Sequence, residues 1–226
     1  MRLPTISDRL VCCGRTGTGK TVGGLWHLSN YDVGHFPFIL IDFKNDENMD
    51  QISNVQEIGF DFDIGKNCSA GLYRLRCTPY DLEGTSKKRS RLDDIFLRVW
   101  EHGNCGLFID EAYIIGNSDA LNLNYTQGRS LRIPIITNTQ RPVWCSRFAF
   151  SEASFIQVYD LTDGGDIGRV EEFIPFDWYE QPDLEKYQSF YYDVGEKKLL
   201  RLNPVPPMNE IAETFAEKLP KRPVWI

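Results

Sequence analysis

The sequence predicts an α/β fold, a doubly wound and mainly parallel sheet with helices on both faces, followed by a C-terminal β-hairpin and helix. Three observations carry this. Five short apolar runs recur along the 226 residues, at Leu10–Cys13, Phe38–Ile41, Gly106–Ile109, Ile133–Thr137 and Phe155–Tyr159. Helical stretches fall between several of them. Near the end, two strand-like runs flank Gly195-Glu196 and break the alternation.

Each element has a local reason. Continuous apolar runs of this length suit strands covered on both faces, which is the burial a parallel sheet gives. Thr21–Leu28 reads as the first helix. Arg91–Glu101 sets Leu92, Ile95, Phe96, Val99 and Trp100 on one helical face. Asn124–Leu131 is expected to be the helix before the fourth strand, and Asn117–Asn124 a polar loop. Leu72–Cys77 is a candidate extra strand that Pro79 keeps short. Phe190–Val194 and Lys198–Leu202 form the expected hairpin. After Pro204, Pro206 and Pro207, Asn209–Lys218 reads as a terminal helix capped by Asn209. With no repeat and no low-complexity linker, residues 1–226 are expected to form one domain, with a core over 8–175 and the hairpin and helix over 176–226.

Composition narrows the function classes. The chain is 42% hydrophobic and 25% charged, with a net charge of −7. A surface that coats nucleic acid is usually basic, so any nucleic-acid contact here must be local. No apolar run reaches the roughly 20 residues that cross a bilayer. The first residues, MRLPTISDRL, lack the apolar stretch of a secretion signal, so the chain is not expected to be secreted. The six cysteines form no C-x-x-C pair and are expected to be reduced core thiols.

The strongest motif is Gly14-Arg15-Thr16-Gly17-Thr18-Gly19-Lys20-Thr21, directly after an apolar strand and before a helix. It fits G-x-x-x-x-G-K-[ST], the phosphate-cradling P-loop, and makes the expected fold that of a P-loop NTPase. Glycines let backbone N–H groups turn toward phosphate oxygens, and the following helix points its positive end at them. Lys20 would reach the β- and γ-phosphates of ATP, and the Thr21 hydroxyl would ligate Mg²⁺.

A second motif, the apolar run ending Asp110-Glu111, fits a Walker B strand. Asp110 would hold Mg²⁺, directly or through water. Glu111 would polarise the attacking water, which favours hydrolysis over phosphoryl transfer to a small acceptor. Its bland alternative is an exposed helix-capping acid. A third run, Ile133 to Pro142, would bring Gln140 within reach of the γ-phosphate, where a neutral amide can sense phosphate and hold water. The alternative for Gln140 is a solvent-facing turn.

Together these features resemble the FtsK–HerA superfamily of P-loop ATPases. The P-loop, Asp110-Glu111 and the strand ending Thr139-Gln140-Arg141-Pro142 follow in the superfamily's order. Gly128-Arg129-Ser130-Leu131-Arg132 looks like its approach to that strand. Asp42-Phe43-Lys44 is similar to its Asp-Pro-Lys element, with Phe43 in place of proline. The resemblance spans about 8–175. It implies a homo-oligomeric ring, with six subunits expected, that moves DNA and shares active sites between subunits. It also implies an arginine finger, with Arg129 the first candidate and Arg132 and Arg141 the alternatives. The compact core looks most like genome-packaging ATPases of tailless, often membrane-containing icosahedral viruses. That implies capsid or vertex partners and a place in the host cytoplasm or at the virion packaging vertex.

Lys87, Lys88, Arg89 and Arg91 concentrate positive charge in an acidic chain, and are candidates for sequence-independent contact with double-stranded DNA. Their bland alternative is a solvated helix start. Asn117–Asn124 is a second pore-facing candidate. Two other readings are a Zot-like phage extrusion ATPase, which usually carries a transmembrane segment, and a P-loop nucleotide kinase, against which Glu111 and Gln140-Arg141 argue.

Overall fold

The computed structural model describes residues 1–84 and 89–220. In chain order the elements are β1 (Arg9–Cys13), α1 (Lys20–Ser29), β2 (Pro37–Asp42), α2 (Glu47–Asp50), β3 (Gln56–Ile58), α3 (Ile64–Asn67), β4 (Gly71–Arg76) and α4 (Arg91–His102). They continue as β5 (Gly106–Ile109), α5 (Asp119–Gln127), β6 (Ile135–Thr139), α6 (Arg147–Ser151), β7 (Phe155–Val158), α7 (Gly164–Glu171), β8 (Ser189–Asp193), β9 (Lys198–Leu202) and α8 (Met208–Lys218).

The nine strands among the described residues join one sheet in the order β3-β4-β2-β5-β6-β1-β7-β8-β9. β1 to β7 run parallel, and β8 and β9 run antiparallel. The hairpin is therefore no appendage, because β8 pairs with β7 and continues the sheet.

Alternate residues of the buried strands face opposite sides, as the pleat requires. Val11, Cys13, Ile39 and Ile41 pack on one side with Leu92, Ile95, Phe96 and Val99 of α4 and with Tyr125, Phe150 and Val170. Leu10, Cys12, Phe38 and Leu40 pack on the other with Leu25 and Leu28 of α1 and with Met208, Ile211 and Phe215 of α8. Each face is buried, so the central strands are mostly apolar, with Asn138 of β6 and Gln157 of β7 among the buried polar exceptions.

Several expected boundaries are corrected. α5 begins at Asp119, because Ser118 accepts from the Leu121 N–H and caps it there. Asn122 and Asn124 are consequently buried inside that helix, Asn124 at 0% exposure, so Asn117–Asn124 is not an exposed pore loop. The helix ends at Gln127, and Ile133 N–H bonds back to Gly128 C=O across the turn into β6. At the terminal helix, Pro207 takes the cap position and Asn209 lies inside the first turn. The buried spacing of Met208, Ile211 and Phe215 sets that start. The Leu72–Cys77 run becomes β4, an interior strand beside β2, while β3, α2, α3, α6 and α7 were not anticipated.

Candidate active site

The site forms at the carboxyl ends of β1, β2, β5 and β6, the edge where parallel sheets bind ligands. The P-loop leaves β1 with its first glycine anchored, since Gly14 N–H donates to Thr139 C=O at 3.2 Å. A Cβ on Gly14 would lie 2.6 Å from Tyr159 Cβ, so the loop passes too close to β7 for any side chain. Gly19 takes φ of 92° and turns the chain into α1. Thr18 Oγ1 donates to Arg15 C=O within the loop at 2.8 Å. The Arg15 side chain points out of the cradle, 2.6 Å from Asp160.

Lys20 is 5% exposed, and its ammonium lies 3.6 Å from Glu111 Oε1. Thr21 Oγ1 donates to Asp110 Oδ1 at 3.2 Å, and Asn138 Nδ2 donates to the same oxygen at 3.3 Å. Asp110 Oδ2 is buried with no hydrogen-bond partner among the described residues. Burial, with Glu111 and Asp46 nearby, pushes the Asp110 carboxyl up to about 7. A cation at that oxygen would restore the ionised form. Among the described residues no group of three or more His, Cys, Asp or Glu could hold a metal alone. Thr21 and Asp110 thus fit an ion whose other ligands are phosphate and water.

Glu111 is fully buried, at φ of 55°, so it is no exposed capping acid. Its Oε1 also contacts Lys44 Nζ, from the loop after β2. Burial lowers the Lys44 pKa, but the Glu111 hydrogen bond and nearby carboxylates outweigh it, and the net shift is upward. Glu111 Oε2 is buried and without a hydrogen-bond partner among the described residues. Gln140 is half-buried rather than solvent-facing. Its Nε2 donates to Tyr113 Oη at 2.8 Å, and its Oε1 accepts from Thr16 Oγ1, so it ties the P-loop to the turn after β5.

Three contributors escape sequence reasoning, and a fourth is visible there without a role. Lys44 had a motif but no partner. Asn138 is packed against Gly24, whose added Cβ would sit 2.5 Å from the amide. Tyr113 and Tyr187 stand outside every motif, and Tyr187 reaches the P-loop from far along the chain.

The arginines divide. Arg141 lies 2.9 Å from Asp166 and 3.4 Å from Asp163, with its guanidinium 4.4 Å over the Trp144 ring. Arg129 and Arg132 precede β6, at the opposite edge of the sheet, and both are exposed. Arg129 is close enough to Arg9, at the start of β1, for its charge to lower that residue's pKa, although desolvation is the larger cause. Arg129 lies before the amino end of β6, while the P-loop backbone bonds to Thr139 at its carboxyl end. Lys87 and Lys88 lie outside the described residues. Arg89 is exposed, and Arg91 pairs with Asp81 at 3.1 Å and stacks 4.3 Å over Phe60.

Comparison with known proteins adds the family. No protein-family model matches the chain. The genome packaging NTPase B204 of Sulfolobus turreted icosahedral virus 2, solved with AMPPCP, superposes with a TM-score of 0.67 at 18% identity, over 89% of this chain and all of that one. VirB4 of Thermoanaerobacter pseudethanolicus superposes at 0.64 with 8% identity over 91% of each chain. At those identities the likeness is one of fold. The sequence carries further: it is 34% identical over 224 residues to the DNA packaging ATPase P9 of Enterobacteria phage PRD1, covering 95% of both chains. A P-loop and a buried Asp-Glu pair on this sheet, in a chain that alike along nearly its whole length, make this protein a member of the DNA packaging ATPase family of P9.

Proposed function

We propose that this chain is an ATP-hydrolysing motor that translocates DNA and packages a viral genome into a capsid. The observation that carries it is the convergence of Lys20, Thr21, Asp110 and Glu111 at one sheet edge, in a chain 34% identical to a DNA packaging ATPase.

P-loop N–H groups and Lys20 bind the phosphates. Thr21 and Asp110 are the residues to hold Mg²⁺, which when bound would neutralise charge on the β- and γ-phosphates. Lys20 and Lys44 both face Glu111 Oε1. A γ-phosphate competes for both ammonium groups. Glu111 is then free to accept a proton from the attacking water, while Gln140, braced by Tyr113, orients that water. Burial makes these charges act strongly and leaves little reorganisation at the moment of reaction.

We further infer that residues 1–226 work as one ATPase unit within a ring, with six subunits expected. Arg129 enters a neighbour's site, with Arg132 next in line. Arg141 ranks lower, because its own acids already hold it. Net charge of −7 confines DNA contact to local basic positions such as Arg89, with the neighbouring Lys87, Lys88 and Arg91, and makes that contact sequence-independent. Capsid or vertex proteins are the partners, in the host cytoplasm or at the packaging vertex. No helix among the described residues is long and apolar enough to cross a membrane. The test is steady-state ATPase of the purified chain. Turnover should rise with double-stranded DNA at low salt and vanish in Lys20→Ala. A wild type without turnover, or one indifferent to DNA once assembled, would overturn the reading.

A further inference from the structure

The cavity beside the P-loop is larger and less polar than phosphates require. Its volume is about 560 Å³, within the range of small-molecule sites. One end is lined by the P-loop, Lys44 and Asp46, and Asp46 lies near enough to Asp110 to raise its pKa. That end is the phosphate end. The cavity is also lined by Tyr187, Val205, Pro206, Pro207 and Met208, and by Val22 of α1.

This second wall is built for a flat apolar ring. Tyr187 lies against the P-loop, since a Cβ on Gly19 would meet its Cδ1 at 3.1 Å. Its backbone sits at φ of 67°, a costly conformation for an aromatic residue that the surrounding loop must enforce. That loop is braced. Arg201 of β9 donates to Gln188 Oε1 at 2.7 Å and to Asp183 C=O at 2.7 Å, and Glu185 N–H donates to Gln188 Oε1 at 3.0 Å. The tyrosine is nevertheless 44% exposed, with the Lys186 ammonium, 4.8 Å over its ring, as the group a stacking base would displace. In the 205–208 segment that lines the same cavity, prolines lack N–H donors, and the Pro207 carbonyl already accepts from Glu210 and Ile211. The polar lining residue Asn48 donates its amide to Asp46.

We propose that the cleft between Tyr187 and the 205–208 segment is the nucleobase subsite, which holds the base by stacking and apolar contact. With a wall made mostly of apolar side chains, it takes ATP and GTP nearly alike. The proposal rests on the ATPase reading above and names residues that the P-loop motif leaves out.

Equilibrium competition binding on the full chain tests it, with ATP, GTP and inorganic tripolyphosphate as probes. Tyr187→Ala should weaken ATP and GTP by about tenfold or more, the scale of one base–aromatic stack. It should leave tripolyphosphate unchanged, and Tyr187→Phe should behave as wild type. Pro206→Asp, which alters the 205–208 segment at an exposed position, should show the same selective loss should Tyr187→Ala fold poorly. Equal loss for ATP and tripolyphosphate, no loss for ATP in either variant, or wild-type discrimination between ATP and GTP beyond tenfold would overturn the subsite. A wild type that binds none of the three would instead sink the ATPase reading itself.

Discussion

The two ends of β6 differ more than any other pair of neighbouring regions. At its carboxyl end Asn138, Thr139 and Gln140 are each engaged, to Asp110, to the P-loop backbone, and to Tyr113 and Thr16. At its amino end Arg129 and Arg132 stand exposed, with no side-chain hydrogen bond or ion pair among the described residues. One end is finished within the chain, while the other presents cations to whatever approaches. Arg141, at the finished end, already has acids and an aromatic ring to hold it.

The sharpest break in this comparison would come from Arg129→Ala. Turnover of the assembled protein should fall by about a thousandfold, the lower scale of a lost arginine finger, while ATP affinity of the isolated chain stays the same. Mixing Arg129→Ala with Lys20→Ala should recover turnover at the sites that combine an intact P-loop with an intact neighbouring arginine. Without such recovery, the amino end plays no part in trans.

Glu111→Gln tests the finished end. Its turnover should drop by roughly a hundredfold or more, with ATP still bound, as expected when one preorganised group at the reacting centre is removed. Wild-type turnover in that variant would return Glu111 to a structural role.

The Asp110 carboxyl gives a prediction in pH. Its folded pKa, raised to about 7, exceeds the ordinary carboxylate value near 4. The folded state therefore binds the extra proton across that window, and nucleotide-free stability is lost as pH rises through it. The full loss is at most roughly 4 kcal/mol. Melting temperature without nucleotide should fall between pH 5 and 8, and Asp110→Asn should flatten the slope. A wild-type slope of the opposite sign would refute the buried, cation-hungry site.

The smallest effect belongs to Tyr113→Phe, which removes one hydrogen bond to Gln140. About 0.5–1.5 kcal/mol is at stake, a two- to tenfold fall in turnover with little change in ATP affinity. A larger change in affinity than in turnover would make Gln140 a binding group, not a positioning one.

The same contrast explains what the sequence made legible. Chemistry held in contiguous motifs could be read directly, as with Gly14–Thr21, Asp110-Glu111 and Gln140. So could the central strands, whose apolar runs reflect burial on both faces. Contacts between distant residues left no local trace. Lys44 meets Glu111, and Tyr187 meets Gly19, only after the sheet is ordered. Short elements such as β3 and α2 offer too few residues for a period to emerge. The start of α5 was misplaced because Ser118 does the capping while the asparagines behind it, which read as loop residues, are buried.

The cavity draws its floor from residues 16–22 and its far wall from residues 187–208, at opposite ends of the polypeptide. Synthesis runs in one direction, so residues 16–22 are made well before residues 187–208. A nascent or prematurely terminated chain would carry the P-loop without its cover. The phosphate cradle and the residues that share its cavity meet only through the folded sheet, so a cut between residues 22 and 187 would part the two without touching the motif.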